Sequence, residues 1–202
     1  GDIDIVFMNL YDPSPNNDQG NRVLMNELVQ GFPNSFDHSE IVVAGSVDTD
    51  ESRGGALGDL DGDGFLDLVV VNFADGQASK IYLNNASGTP NANPFTLTPV
   101  PFTVAGPPSD PANPLSVTLA DADNDGDLDI FLTVVRNAFR NRVYFNDGNG
   151  AFPTFAEVGP VGQAPLVLGS PTDVAPASRA GAVGDVDGDG DLDWVIGNEA
   201  SE

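Results

Sequence analysis

The stretch Gly58-Asp-Leu-Asp-Gly-Asp-Gly-Phe-Leu-Asp67, followed at once by the apolar run Leu68-Val-Val-Val71, decides the fold of this chain. It recurs as Ala120-Asp-Ala-Asp-Asn-Asp-Gly-Asp-Leu-Asp129 and as Gly184-Asp-Val-Asp-Gly-Asp-Gly-Asp-Leu-Asp193, and Gly1-Asp-Ile-Asp-Ile-Val-Phe7 matches its second half. The final Asp of each copy is Asp4, Asp67, Asp129 or Asp193, so the copies lie 63, 62 and 64 residues apart. A period of that length indicates a repeat architecture.

A second apolar element repeats in step with the first. It is found at Asn21–Asn26, Ser79–Asn84 and Asn141–Asn146. The first copy, read alone, could form a short amphipathic helix. The other two are rich in Tyr, Phe, Val and Ile, which favour strands, so we predict a strand at all three positions.

Each period has room for about four short strands. One precedes the Asp-rich stretch, one follows it, the Asn-bounded element is third and an irregular outer strand is fourth. The strands predicted before the stretch are Gly55–Leu57, Ser116–Leu119 and Gly181–Val183, and the predicted outer strands are Ile41–Val43, Phe95–Leu97 and Phe152–Val158. The Pro- and Gly-rich connections Pro99–Pro114 and Gly159–Pro176 are predicted to be surface loops.

Four antiparallel strands per repeat are typical of a β-propeller blade. We therefore predict an all-β chain with one repeat domain over residues 1–202, divided into repeats 1–63, 64–125 and 126–189 and the start of another at 190–202. Propellers close with about 4–8 blades, whereas three full periods are present here. We expect this chain to be a fragment of a larger propeller, which other blades or chains would close.

Composition excludes several classes of partner. The chain carries 31 acidic and 7 basic residues, for a net charge of −24, which argues against binding nucleic acid or an anionic membrane surface. Since 40% of the residues are hydrophobic and fall in short runs, disorder is not expected. There is no Cys, no apolar run approaching the about 18 residues of a membrane span, and no visible signal peptide.

Carboxylates occupy positions 1, 3, 5 and 9 of each Asp-rich stretch; the stretches are named loop 1 (59–67), loop 2 (121–129) and loop 3 (185–193). Calcium is a hard cation that binds about 6–8 oxygens at about 2.3–2.6 Å. Gly at position 6 permits a sharp turn, and a backbone carbonyl at position 7 can add a ligand. The predicted calcium ligands are the side chains of Asp59, Asp61, Asp63, Asp67, Asp121, Asp123, Asp125, Asp129, Asp185, Asp187, Asp189 and Asp193 and the carbonyls of Phe65, Asp127 and Asp191.

Two other interpretations of the loops are weaker. An EF-hand loop needs an acidic ligand at position 12, where these loops have Val70, Leu132 and Ile196 inside apolar runs. Ordinary Asp-Gly turns with a solvated acidic face would place four like charges within nine residues without a counterion. Three such clusters in register make that interpretation improbable.

These residues resemble the FG-GAP/VCBS repeats of integrin-α-like β-propellers. Gly-Asp-x-Asp-Gly-Asp-Gly followed by Leu-Asp and an apolar strand is similar to the calcium hairpin of that family, and Tyr144-Phe-Asn-Asp-Gly-Asn-Gly-Ala-Phe152 is similar to its Asn-Gly-Gly-x-Phe turn. The resemblance implies a seven-bladed propeller of a secreted or surface protein, with calcium stiffening the loops. Asp2 and Asp4 match only the end of a loop, which implies a partial fourth site.

The sequence predicts a calcium-binding extracellular scaffold for adhesion or for binding a protein or glycan ligand, with structural calcium and no enzymatic activity. One alternative is a carbohydrate-binding, lectin-like propeller, for which Tyr11, Phe73 and Phe139 are candidate stacking aromatics. Another is the propeller portion of a secreted polysaccharide lyase or hydrolase. The single His, His38, is interpreted as a solvated turn residue.

Two arginines repeat with the loops. Arg53 and Arg179 each lie six residues before the first Asp of a loop. We interpret them as local structural residues that neutralise part of a neighbouring acidic loop.

Overall fold

The computed structural model describes residues 5–7, 22–25, 39–42, 51–73, 78–84, 100–102, 114–134, 141–146 and 178–199. All regular structure in these ranges is β-strand, and every pairing is antiparallel. The all-β prediction is therefore confirmed for the described part of the chain. Within that part, there is no helix with the length and apolarity needed to cross a bilayer.

The strands of the described ranges form four separate sheets. Their orders are β1-β2-β3, β4-β5-β6-β7, β10-β9-β8 and β11-β12. The strands are β1 (Ile5–Phe7), β2 (Arg22–Met25), β3 (Ser39–Val42), β4 (Ser52–Gly58), β5 (Asp67–Asn72), β6 (Ser79–Tyr82), β7 (Val100–Phe102), β8 (Pro114–Ala120), β9 (Asp129–Val134), β10 (Arg142–Tyr144), β11 (Ser178–Gly184) and β12 (Asp193–Asn198).

Each Asp-rich loop joins two neighbouring strands of one sheet. Loop 1 closes the β4–β5 hairpin above the pair Gly58 and Asp67. The β8–β9 and β11–β12 hairpins close in the same register, at Ala120 with Asp129 and at Gly184 with Asp193. Because all three hairpins also have a register shift near the start of their first strand, they are copies of one structural unit.

The strand that follows a loop is the buried centre of its sheet. All six residues of β5 and all six of β9 are buried. Their continuous apolar runs suit strands covered on both faces, since Val and Ile pack well on a pleated surface. In β12, by contrast, four of the six residues are exposed.

The first strand of each hairpin packs against the next sheet, with β4 against β8 and β8 against β11. An ideal Cβ on Gly54 would lie 3.0 Å from the Leu115 carbonyl oxygen, so the β4 and β8 backbones approach closely there. Further along the row, the rings of Phe131 and Trp194 meet edge to face with their centroids 5.2 Å apart. The core between the second and third sheets contains Leu60, Val69, Val71, Ile81, Leu83, Val117, Ile130, Leu132, Val134 and Tyr144.

The predicted third strands are confirmed. They are β2, β6 and β10, and β2 pairs with both β1 and β3, which rejects the helical interpretation of its segment. Of the predicted outer strands, Ile41–Val43 overlaps β3 (Ser39–Val42). Phe95–Leu97 and Phe152–Val158 lie outside the described residues, as does the predicted loop Gly159–Pro176.

The prediction that Pro99–Pro114 is a surface loop is wrong at both ends. Val100–Phe102 forms β7, which pairs with β6 at the edge of the second sheet, and Pro114 begins β8. An edge strand and the first residue of a strand are the places where a sheet tolerates proline, because its missing N–H is not needed there. The proline content therefore excluded a central strand, not a strand altogether.

Candidate metal centres

Three groups of three carboxylates form at the same positions of the three hairpins. In each group, one oxygen atom from each residue lies within 4.8 Å of the others. Two oxygens that both bind one calcium ion at about 2.3–2.6 Å are at most about 5 Å apart. The spacing and the all-oxygen donor set therefore fit a hard cation. The groups are Asp59, Asp61 and Asp67; Asp121, Asp123 and Asp129; and Asp185, Asp187 and Asp193.

The carboxylate at position 1 folds the loop around itself. In loop 1, Asp59 Oδ1 accepts the Asp63 N–H at 3.1 Å and Oδ2 accepts the Gly64 N–H at 2.9 Å. These bonds curl the backbone so that positions 1 and 3 face the same point. The counterparts are Asp121 with Asp125 and Gly126, and Asp185 with Gly188 and Gly190.

Positions 4 and 6 supply the left-handed backbone that this curl requires. In loop 1 they are Gly62 at φ 73° and Gly64 at φ 91°. In loop 2, position 4 is Asn124, with φ 60°, and Asn tolerates this region better than most residues. The sequence signal of alternating Asp and Gly is thus explained by two adjacent turns, not by a single Gly at position 6.

The carboxylate at position 9 ties the loop to the strands beneath it. Asp129 is fully buried; its Oδ2 accepts the Ala122 N–H at 2.6 Å and its Oδ1 accepts the Asn146 N–H at 2.7 Å. Asp67, also fully buried, does the same with the N–H groups of Leu60 and Asn84, both at 2.8 Å. Each of these carboxylates therefore holds the start of its loop against the end of the third strand.

Burial makes two of these position-9 groups difficult to ionise without a cation. Removal from water raises the pKa of Asp129 to about 6, against the opposing effect of its two N–H donors. Burial likewise raises the pKa of Asp67. Asp193 has the same place in loop 3 but is exposed, and its Oδ2 accepts the Val186 N–H at 2.9 Å.

The position-3 carboxylates are also affected. Desolvation raises the pKa of Asp61 and of Asp123, and the neighbouring acidic groups at positions 1 and 5 add to the rise. A bound dication would reverse this balance, because opposite charge favours the ionised form. Carboxylates crowded in this way favour calcium binding by the loop, and they destabilise the folded loop when no cation is bound.

Positions 5 and 7 are joined by a hydrogen bond within each loop. The carboxylates of Asp63, Asp125 and Asp189 are not in the three groups. Each instead accepts the N–H of the position-7 residue two positions later, at 2.9 to 3.0 Å. Coordination by these three side chains and by the carbonyls of Phe65, Asp127 and Asp191 stays a prediction, and Asp2 and Asp4 lie outside the described residues.

Sequence reasoning missed two asparagines. Asn84 and Asn146 end the third-strand element, and besides their N–H bonds to position 9, their side-chain amides donate to the position-8 carbonyls of Leu66 at 3.2 Å and Leu128 at 3.3 Å. Their recurrence 17 residues after Asp67 and Asp129 was the available signal. An Asn at a strand end is common, however, and nothing in the sequence linked it to the loop.

The interpretation of Arg53 and Arg179 as local structural residues agrees with their contacts, but their ion-pair partners in the described part of the chain are Glu51 and Glu199 and not loop carboxylates. Arg53 and Arg179 are at the opposite end of their hairpins from the loops, because each is the second residue of the strand that leads to its loop. Arg53 pairs with Glu51 at 3.4 Å and lies over the Phe73 ring, 4.7 Å from its centroid. Arg179 pairs with Glu199 across the β11–β12 hairpin. Tyr11, His38 and Phe139 lie outside the described residues.

Residues 59–132 match the family model for the FG-GAP-like repeat. The match runs from the first residue of loop 1 through loop 2 and into β9. It confirms the resemblance predicted from the loop motif. Among proteins of curated function, none matches this chain in sequence.

Proposed function

We propose that this chain, which carries an FG-GAP-like repeat at residues 59–132, is part of a calcium-dependent β-propeller scaffold. It would present its surface loops to a binding partner outside the cell, with the calcium serving a structural role. One observation carries the proposal. The same three carboxylates converge to within 4.8 Å at the same place in three equivalent hairpins.

The structural role follows from where the carboxylates are. Asp67 and Asp129 are fully buried between their loops and the third strands, so their charge is unfavourable in the calcium-free fold. A cation at positions 1, 3 and 9 would offset that charge. An ion that binds only the folded state stabilises it by mass action. We infer that calcium binding and hairpin stability are linked.

The kind of site supports the proposed extracellular location. The grouped carboxylates of loop 3 are all exposed, and position 3 of loop 2 is exposed as well. Extracellular calcium modules function at about 10⁻⁴–10⁻³ M affinity, which open loops of this type can supply. The net charge of −24 fits a surface that has bound several dications.

We propose a binding role without catalysis, and a protein ligand in preference to a sugar. Asp59 and Asp129 accept backbone N–H groups of their own loops, and Asp129 also accepts the N–H of Asn146 beyond the third strand. The aromatic Phe73, a candidate for stacking on a sugar, has the Arg53 guanidinium over its ring. That ring face is therefore occupied by a cation–π contact.

The test compares two isosteric variants of loop 2. Asp123→Asn removes a position-3 ligand, whereas Asp127→Asn removes the same charge at position 7, where only the backbone carbonyl is expected to coordinate. Even supporting groups around a metal typically change affinity by about 10–100-fold, so we expect Asp123→Asn to weaken calcium binding at loop 2 at least about tenfold and Asp127→Asn to change it little. Isothermal titration calorimetry with CaCl₂ measures both, together with the stoichiometry. Equal affinities in the two variants, or no calcium binding by the wild type, would contradict the proposal.

A further inference from the structure

The side chain of Asn146 connects two of the loops. It is 1% exposed, and its Nδ2 donates to the Leu60 carbonyl oxygen at 2.8 Å and to the Leu128 carbonyl oxygen at 3.3 Å. Leu60 is position 2 of loop 1 and Leu128 is position 8 of loop 2. One buried amide group therefore binds the backbones of two loops that belong to different sheets.

Both ends of this bridge lie next to the grouped carboxylates. Leu60 stands between Asp59 and Asp61, and its own N–H donates to Asp67 Oδ2 at 2.8 Å. On the other side, the Asn146 N–H donates to Asp129 Oδ1 at 2.7 Å. A continuous hydrogen-bonded path thus runs from position 9 of loop 2, through Asn146 and Leu60, to position 9 of loop 1.

A packing contact runs in parallel with this path. An ideal Cβ on Gly58, the residue before loop 1, would lie 2.6 Å from Leu128 Cδ1 and 2.8 Å from Leu119 Cδ1. The base of loop 1 therefore rests on the position-8 side chain of loop 2. Around Gly184, which precedes loop 3, the described chain places no atom within 4 Å of the equivalent Cβ position.

We propose that loops 1 and 2 bind calcium as a coupled pair, and that Asn146 is the positioning residue that transmits the coupling. This rests on the calcium-binding function proposed above. An ion in loop 2 fixes Asp129, which fixes Asn146 and, through its amide, the Leu60 peptide between two ligands of loop 1. The first ion then orders part of the second site, which binds its ion more tightly, and the effect is reciprocal.

Three glycine amides report the loops separately. Gly64, Gly126 and Gly190 each donate their N–H to the position-1 carboxylate of their own loop, so their ¹H–¹⁵N NMR signals should follow calcium binding at loops 1, 2 and 3. The test is a calcium titration of the wild type and of Asp123→Asn, which disables loop 2 through an exposed side chain. We expect the affinity reported by Gly64 to fall at least about fivefold, the lower end of typical coupling between sites. The calcium affinity reported by Gly190 should change less than about twofold, since among the described residues the base of loop 3 at Gly184 lacks the close packing contact found at Gly58.

Two asparagine variants test whether the Asn146 side chain transmits the coupling between loops 1 and 2. Asn146→Ala keeps the N–H bond to Asp129 and removes the amide that contacts Leu60, so the effect of Asp123→Asn on loop 1 should shrink to below about twofold. Asn84→Ala is the matched comparison, since it removes an equivalent side-chain amide, whose contact with Leu66 is within its own sheet. It should shift loop 1 affinity and leave the coupling in place.

The outcomes separate the coupling from the proposed function. Independent titration of Gly64 and Gly126 in a wild type that does bind calcium would overturn the coupling alone. Coupling that persists in Asn146→Ala, or an equal response of Gly190, would overturn the role of Asn146. A wild type without calcium-dependent shifts at any loop would refute the proposed function itself. If Asn146→Ala does not fold, Asp123→Asn alone still decides whether the loops are coupled.

Discussion

Replacing Asp129 with Asn is expected to change the stability of the calcium-free protein little and to destabilise the calcium-loaded protein. In the calcium-free protein, burial raises the pKa of Asp129 from an ordinary 3.8 to about 6. At neutral pH, where the carboxylate is ionised, that difference in pKa destabilises the folded protein by about 3 kcal/mol. The neutral amide of Asn removes this penalty.

The same substitution also removes a hydrogen-bond acceptor. Both oxygens of Asp129 accept backbone N–H groups, from Ala122 and Asn146, whereas the Asn side chain has one acceptor and one donor. Leaving one buried N–H without an acceptor costs about 1–3 kcal/mol. The relief and the cost are similar in size, so the calcium-free stability should stay within about 2 kcal/mol of the wild type.

With calcium bound, only the cost remains. The ion already offsets the charge, and the variant loses a ligand, for which a tenfold weaker affinity adds about 1.4 kcal/mol. We therefore expect Asp129→Asn to destabilise the calcium-loaded protein by about 2–4 kcal/mol, or about 5–15 °C in Tm for a chain of this length.

Differential scanning calorimetry of the wild type and the variant, in EDTA and in saturating CaCl₂, measures all four stabilities. Asp193→Asn is the matched control, because it changes the same loop position at an exposed site. It should lose calcium stabilisation but alter the calcium-free Tm by no more than about 2 °C. An Asp129→Asn variant destabilised as much in EDTA as in calcium would refute the assignment of Asp129 as a buried, charge-compensated ligand.

Three further outcomes are expected. Because the folded-state pKa of Asp129 is raised, its contribution to calcium-free stability is fully present below about pH 4 and is lost as the pH rises through about 6. The loss should amount to about 3 kcal/mol in the free energy of unfolding. Urea denaturation in calcium-free buffers from acid to neutral pH measures it, and a flat profile would contradict the expectation. Gly58→Ala should destabilise the protein by about 1 kcal/mol, since its Cβ would displace the Cδ1 ends of Leu128 and Leu119, whereas the equivalent Gly184→Ala has open space and should be neutral or slightly stabilising. Equal Tm values for the two variants would disprove the close packing at loop 1. Gly126→Ala should cost about 1–2 kcal/mol because φ is 99° there, with Gly184→Ala again the control in a chemical denaturation series.

Local sequence determined the hairpins and the geometry of their loops. Alternating Asp and Gly are sufficient for this, because the position-1 carboxylate binds the N–H groups four or five residues later and the left-handed turns need Gly or Asn. The apolar run after each loop likewise specified the strands β5, β9 and β12, which follow the loops directly. Every contact involved lies within one hairpin, so spacing alone was a reliable guide.

Tertiary structure decided how deeply each copy of the motif is buried and which distant residues contact it. Asp129 and Asp193 occupy the same position in nearly identical loops, yet Asp129 is buried and Asp193 is exposed. The bond from Asn146 to Leu60 joins residues 86 apart in the chain, and β7 formed where proline content had predicted a loop. The third strand covers Asp129, a neighbouring sheet supplies the long-range donor to Leu60, and β6 supplies the edge with which β7 pairs. No local pattern records these contacts.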